Sequence, residues 1–402
     1  MSYLEKLLDG VTVEWKPLGE FADYEQPTKY LVDSNNYNDN FETPVLTAGK
    51  TFILGYTNET EGIYKASKNP VIIFDDFTTA NKWVDFDFKA KSSAMKMITS
   101  KDESKASLKY IYYWMNTLPS ELVDGDHKRQ WISNYANKLI PIPCPNNPKK
   151  SLEIQQKIVA ILDSFTELTA ELTAELTARK MQYSYYREKL YTFDKNKVQH
   201  LPMDDESIGV FQRGKRFVKT DLISEGVPVI HYGEMYTHYG TWANKTKSFL
   251  SEELVKNKNL RVANKGDVVI VAAGETIEDI GMGTAWLGDE GVVVHDACFS
   301  YKTTLNPKFV AYFTRTKQFH DQIKKHISSG KISAINAKGL GKAIIPVPSK
   351  EEQERIVAIL DKFDILTNSI SEGLPKEIEL RKKQYEYYRD LLLTFPQDNL
   401  KI

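Results

Sequence analysis

The stretch Gln156-Lys-Ile-Val-Ala-Ile-Leu-Asp-Ser-Phe165 returns as Glu354-Arg-Ile-Val-Ala-Ile-Leu-Asp-Lys-Phe363. Working outward, Leu139-Ile-Pro-Ile-Pro143 precedes the first copy and Ile344-Ile-Pro-Val-Pro348 the second. Beyond them, Arg179-Lys-Met-Gln-Tyr-Ser-Tyr-Tyr-Arg187 matches Arg381-Lys-Lys-Gln-Tyr-Glu-Tyr-Tyr-Arg389. Ser151 and Ser349 sit at equivalent places, and Ser349 with Glu352 reads as a capping box. Ile158 and Ile356 are 198 positions apart and Tyr183 and Tyr385 are 202 apart. The second copy therefore holds about one extra helical turn between its blocks. Matches of this length exclude chance, so the chain is two half-molecules in tandem, each a variable part followed by a repeated helical part. The short stretch Tyr3-Leu-Glu-Lys-Leu7 resembles Tyr186-Arg-Glu-Lys-Leu190, so a piece of helical tail also precedes the first variable part.

The repeated parts read as long helices. Ile154, Ile158, Ile161, Phe165, Leu168, Leu172, Leu176, Arg179, Tyr183, Tyr186 and Leu190 recur at steps of four and three, a heptad seam with one stutter. The second tract has Ile356, Ile359, Phe363, Leu366 and Ile370, then Tyr385, Tyr388 and Leu392. Gly373 and Pro375 predict a break near residue 373. Matched seams in one duplicated chain predict that the two helical tracts pack on each other, antiparallel about a pseudo-twofold axis. Thr169-Ala-Glu-Leu172 repeats as Thr173-Ala-Glu-Leu176, and each such unit lengthens a helix by ~6 Å.

The variable parts read as mixed α/β, with strand-like runs at 44–47, 71–74 and 83–86, then at 227–230, 267–271 and 291–294. Helical stretches near 106–116 and 307–326 precede each Ile-Pro-x-Pro exit. The expected fold is α+β: two similar mixed α/β domains separated by two long helices forming an antiparallel coiled coil. The expected boundaries are 1–147, 148–200, 201–348 and 349–402. A common order of elements with unlike intervening residues suits two related domains that read different things.

Composition excludes several classes. Hydrophobic residues make up 41% and charged residues 27%, enough to fill a core and far from a disordered chain. No apolar run approaches the ~18 residues of a membrane span, and the N-terminus lacks the pattern of a signal peptide. With two cysteines, Cys144 and Cys298, neither a disulfide framework nor a cysteine zinc site is expected, and a cytoplasmic location follows. Net charge is −1; residues 1–147 carry 16 basic and 20 acidic groups, residues 201–348 carry 19 and 16. Charge alone does not point to nucleic acid.

No phosphate loop, dinucleotide fingerprint, amino-methyltransferase motif or His-Glu-x-x-His is present. Asp124, Asp126 and Lys128 lack the strand context of a nuclease cluster; His231, Glu234 and His238 fit no standard metal spacing; Asp75-Asp76 reads as a turn. The expectation is a chain without a catalytic site, metal or cofactor of its own. Polar, glycine-containing loops are the candidates for DNA contact. In the first half these supply Lys50, Thr51, Tyr56 and Asn58. In the second they supply Arg213, Lys215, Arg216, Tyr232, Glu234, Glu275, Lys331, Ser333, Asn336 and Lys338. Arg and Lys neutralise phosphate or pair with guanine, Asn pairs with adenine, and Glu accepts from cytosine.

At the Ile-Pro-x-Pro exits, the Ile-Val-Ala-Ile-Leu-Asp helices, the Gln-Tyr-x-Tyr-Tyr-Arg blocks and the Thr-Ala-Glu-Leu units, the sequence resembles type I restriction-modification specificity subunits, the units being like those of the type IC branch. The resemblance spans essentially the whole chain. It implies two target-recognition domains reading the halves of an asymmetric bipartite site in double-stranded DNA. It also implies helices that dock two methyltransferase subunits, which use S-adenosylmethionine, and restriction subunits that use ATP and Mg. In it the number of Thr-Ala-Glu-Leu units sets the spacer between half-sites. Two other readings fit the layout less well: a coiled-coil adaptor for proteins or glycans, and a solitary DNA-binding regulator.

Overall fold

The computed structural model describes residue 7 and residues 11–49, 51–119, 129–330 and 332–395. The N-terminal tail match, apart from Leu7, and the cluster at 124–128 lie outside them. The chain divides into two compact units, Met1–Leu172 with Ile378–Ile402, and Thr173–Glu377. The division cuts through the helical tracts instead of falling at their ends, because each tract gives one half to each unit.

In the first unit, a four-stranded antiparallel sheet has the order Ala22–Glu25, Met95–Ser100, Val71–Asp75, Asn81–Val84. A three-stranded sheet places Thr43–Leu46 between antiparallel Ile53–Thr57 and parallel Lys89–Ala90. The repeated exit Leu139–Pro143 pairs antiparallel with Val13–Pro17, a position that tolerates its prolines because only one neighbour strand needs bonding. Helix α1 (Leu108–Met115) is capped by Ser107, whose side chain accepts from the Tyr110 N–H. The apolar positions of α1 bury Tyr110, Tyr113 and Trp114 against Ile72, Phe74 and Ile98 of the sheet. Helix α2 (Pro148–Leu190) adds Ile154, Ile158 and Leu162 to the same core. It begins one turn earlier than Ser151 suggests. Proline fits its first turn, and the Asn147 side chain accepts from the Lys150 N–H at 3.2 Å. Ser151 is buried instead, and accepts from Gln155 Nε2 at 3.1 Å.

The second unit repeats the plan. Gly209–Arg213, Cys298–Thr303, Val268–Val271 and Gly283–Trp286 occupy the corresponding sheet order, with Trp242–Ala243 added at the edge. Val227–Ile230 pairs parallel with Val292–Val294, as Thr43–Leu46 does with Lys89–Ala90. Ile344–Val347 pairs with Gln199–Pro202. Helix α3 (Pro307–Phe313) buries Phe309, Val310, Tyr312 and Phe313 with Ile356, Val357 and Leu360 of α4 (Lys350–Asn368) and with Tyr183 and Tyr191. Each such side chain contributes ~1.5–3 kcal/mol by leaving water. Ser349 caps α4, accepting from the Glu352 N–H at 3.3 Å, while the Glu352 carboxylate pairs with Arg355 at 2.7 Å. The expected break is present: α4 ends at Asn368, and α5 (Gly373–Leu393) starts at Gly373 with φ +76°, Pro375 lying in its first turn.

The polar joints are duplicated as faithfully as the apolar ones. Gln155 Oε1 accepts from the Ser107 N–H at 3.0 Å, and Gln353 Oε1 from the Asn306 N–H at 2.8 Å. Tyr113 donates to Asp163 at 2.5 Å and Tyr312 to Asp361 at 2.7 Å. Lys109 pairs with Asp163 at 3.3 Å and Lys308 with Asp361 at 2.5 Å. In the first unit Phe165 of α2 stacks on Tyr388, and in the second Tyr183 and Tyr186 of α2 stack on Phe363. Ile158 and Ile356 are fully buried; Ile161 and Tyr385 pack partly buried on the core of Ile158, and Ile359 is partly buried. Leu168, Leu172 and Leu176 form a half-buried stripe among mostly exposed neighbours, as the heptad requires.

Candidate nucleic-acid interface

In the second unit, the strands Gly209–Arg213, Val227–Ile230 and Val268–Val271 end beside one another, and Cys298–Thr303 begins there. The loops at that end enclose a cleft of about 710 Å³. Arg216, Lys219, His231, Tyr232, Glu275 and Ile332 all line it. Arg216, Tyr232 and Glu275, candidates far apart in the sequence, therefore meet at one place, joined by Ile332 beside Ser333. Gly214 lets the first loop lie flat on the strand end: a Cβ there would sit 2.4 Å from the Val294 carbonyl oxygen. Arg216 is exposed beyond it, and Tyr232 presents 37% of its surface to solvent.

Two histidines build the floor. His231 and His295 lie 4.9 Å apart between ring centroids, with Tyr232 and Phe217 within 5.1 Å of His295. Burial holds both imidazoles below their usual range, outweighing for His295 the Asp296 carboxylate 3.1 Å away. Each Nδ1 accepts a main-chain N–H, from Gly233 at 3.2 Å and from Ala297 at 3.0 Å, so each ring carries its proton on Nε2. His295 donates that proton to the Phe217 carbonyl at 3.0 Å. The cleft mixes Arg216 and Lys219 with Glu275, Asp279 and Asp296, so hydrogen-bond donors and acceptors of both charges line one space.

Other sequence candidates stand elsewhere. Glu234 is buried in the short helix Tyr232–Thr237. Its carboxylate accepts from the His231 N–H at 3.3 Å and from the Ser248 hydroxyl, so it caps the helix and is not offered to a ligand. Ser333 is buried and paired with Gly274 in a two-stranded ladder. Asn336 is exposed, with its Oδ1 capping Ala337–Gly341, and Lys338 is exposed on that turn. The Arg213 guanidinium donates to the Asp296 carbonyl at 3.0 Å, and Lys215 is half-buried outside the cleft lining. Lys331 lies outside the described residues. His295 escaped the sequence analysis; its signal was a polar pair, His295-Asp296, following directly on a valine strand.

In the first unit, Lys50 lies outside the described residues. Thr51 is exposed in a loop closed by Thr47, whose hydroxyl donates to the Thr51 carbonyl at 2.6 Å. Tyr56 is half-buried in strand Ile53–Thr57, and Asn58 follows at the strand's far end. Five residues of strand, ~17 Å, separate the Thr51 loop from Asn58, so the structure does not bring them together. Asn58 instead lines a groove of about 550 Å³ with Glu42, Glu59, Lys65 and Asp87. Among the described residues no group of His, Cys, Asp and Glu is arranged to hold a metal ion, and no helix is long and apolar enough to cross a membrane.

A family model described as "Type I restriction modification DNA specificity domain" matches residues 11–179 and 206–380, once in each half. The chain is 53% identical over 413 aligned positions to the type I restriction enzyme EcoR124I/EcoR124II specificity subunit of Escherichia coli, covering 99% of this chain and 98% of that one. It is 32% identical to the putative type I restriction enzyme specificity subunit S.HindORF215P of Haemophilus influenzae, with 98% of both covered. Its fold is similar to that of the type I restriction-modification S subunit from M. genitalium: the TM-score is 0.52 at 16% identity, over 98% of this chain and 99% of that one. A chain solved in work on complex assembly and conformational transition of the type I R-M system gives 0.57 at 16% identity, over 95% and 97%. The chain thus belongs to the type I restriction-modification DNA specificity family, carrying its domain twice.

Proposed function

We propose that this chain is the DNA-specificity subunit of a type I restriction-modification enzyme. Each globular part reads one half of an asymmetric bipartite site in duplex DNA, and the helical tracts dock two methyltransferase subunits. The chain itself is non-catalytic: adenine methylation from S-adenosylmethionine, and ATP- and Mg-dependent restriction, belong to the partner subunits in the cytoplasm. The observation that carries this reading is the duplication of the frame combined with unlike loops at the sheet ends. Gln155 and Gln353 make the same joint in both units, whereas His231-Tyr232 and Thr47-Ala48 follow corresponding strands with different chemistry. Two frames of one plan carrying different loops suit an asymmetric two-part site.

The test is methylome sequencing of cells expressing the chain with its methyltransferase partner. A bipartite motif methylated on adenine is expected. No new methylation, with both proteins soluble and present, would overturn the reading.

A further inference from the structure

Strand pairings place the loops of the two globular parts in a common register. Ile72 faces Ile98 as Val268 faces Tyr301, and Tyr24 faces Ile98 as Phe211 faces Tyr301. One hydrogen bond pins the frame at the sheet end: the Gln130 N–H donates to the Asp76 carbonyl at 2.8 Å, and the Ile335 N–H to the Ala272 carbonyl at 2.8 Å. Asp76 therefore stands where Ala272 stands. The hairpin turn 76–80 corresponds to 272–282, the segment that gives Gly274, Glu275 and Thr276 to the cleft of the second unit. By the same registers Thr47 stands at the place of His231.

The first unit presents Phe77 at this position, with 44% of its surface exposed. The turn beneath the ring is tied down. Asp75 Oδ1 accepts from the N–H groups of Phe77 at 2.9 Å and Thr78 at 3.2 Å, and Thr79 holds φ +63°. Asp76 is turned inward, accepting from the Trp131 N–H at 2.9 Å and pairing with buried Lys96 at 3.6 Å. Both carboxylates are thus consumed by the fold while the aromatic ring is left in water, an arrangement unfavourable for the isolated domain. At the opposite end of the neighbouring sheet, where Asn58 lies, Glu59 pairs with Lys89 at 2.6 Å and Asp87 with Lys65 at 2.9 Å, so the charged groups there are largely taken up within the fold.

We propose that Phe77 reads the first half-site, its ring meeting the 5-methyl group of a thymine in the major groove. This rests on the reading of the chain as a DNA-specificity subunit and adds a residue and a base feature to it. The experiment uses the complete chain assembled with its methyltransferase subunits. Duplexes carry the methylated motif with each thymine of the first half-site, on either strand, replaced in turn by deoxyuridine. One replacement is expected to weaken wild-type binding several-fold. Phe77→Ala should show the same several-fold loss on the thymine duplex and no further loss on the deoxyuridine one, with Phe77→Leu intermediate and second half-site discrimination unchanged. A Phe77→Ala complex that melts like wild type and still discriminates fully at the first half-site would overturn the proposal. So would a loss confined to the second half-site. Absence of any sequence-specific binding by the wild-type complex would overturn the specificity-subunit reading itself, a result distinct from either.

Discussion

Phe165 and Tyr388 stack with ring centroids 5.2 Å apart and planes 16° from parallel; their repeat counterparts Phe363 and Tyr186 stack at 5.7 Å and 24°. The roles are exchanged between the copies. The phenylalanine always comes from the first half of a helical tract and the tyrosine from the second half of the other. One duplicated sequence thereby makes the same contact twice, with each strengthening a different unit.

Phe165→Ala should destabilise the first unit and Phe363→Ala the second, each by about 2–3 kcal/mol, less than full core truncation because both rings are half-buried. Hydrogen exchange resolved by segment checks it: protection should fall in Leu108–Met115 for the first variant and in Pro307–Phe313 for the second.

Gln155→Ala and Gln353→Ala leave the N–H groups of Ser107 and Asn306 without an acceptor at the starts of buried helices. Each should cost about 1–3 kcal/mol. Chemical denaturation of the single variants measures the cost. Equal losses are expected because the joints are equivalent.

Acid should weaken the second unit first. Burial holds His231, His295 and His320 below the ordinary imidazole range, so they stay neutral in the folded chain while the unfolded chain protonates near pH ~6.5. Their contribution is fully present above that value and is lost as pH falls through it toward the lowered folded values. Residues 1–147 contain a single histidine, His127. Segment-resolved hydrogen exchange between pH 7 and pH 5 should therefore show strands of 209–303 losing protection before those of 22–100.

Arg216→Ala removes an exposed cation from the rim of the 710 Å³ cleft. Its expected effect is relaxed discrimination at the second half-site only, with stability within ~0.5 kcal/mol of wild type. A methylome of the variant reads both half-sites at once. Relaxation of both would show that the cleft is not a reader of one.

Inserting one further Thr-Ala-Glu-Leu unit after Leu176 lengthens α2 by ~6 Å without altering either set of loops. The methylated motif should keep both half-sites and gain spacer. At ~3.4 Å per base-pair step the gain is one or two base pairs. An unchanged spacer would separate helix length from site geometry.

The duplication, the heptad seams and the break at Gly373 and Pro375 were legible in the sequence, because they depend on residue type at fixed local spacing: period, propensity and missing backbone donors. The whole-chain order of variable and repeated parts carried the family resemblance for the same reason. Which loops share a cleft was not legible. Arg216, His231, Glu275 and His295 come together only because strands distant in sequence end side by side, and sheet registry is set by long-range pairing. Tertiary structure likewise decided that Glu234 caps a helix, that Asn58 lies at the far end of its strand from Thr51, and that Asp75 and Asp76 turn inward beneath an exposed Phe77. For the three carboxylates one side chain had several local uses, and burial together with a nearby backbone amide selected among them; for Asn58 the course of the strand decided.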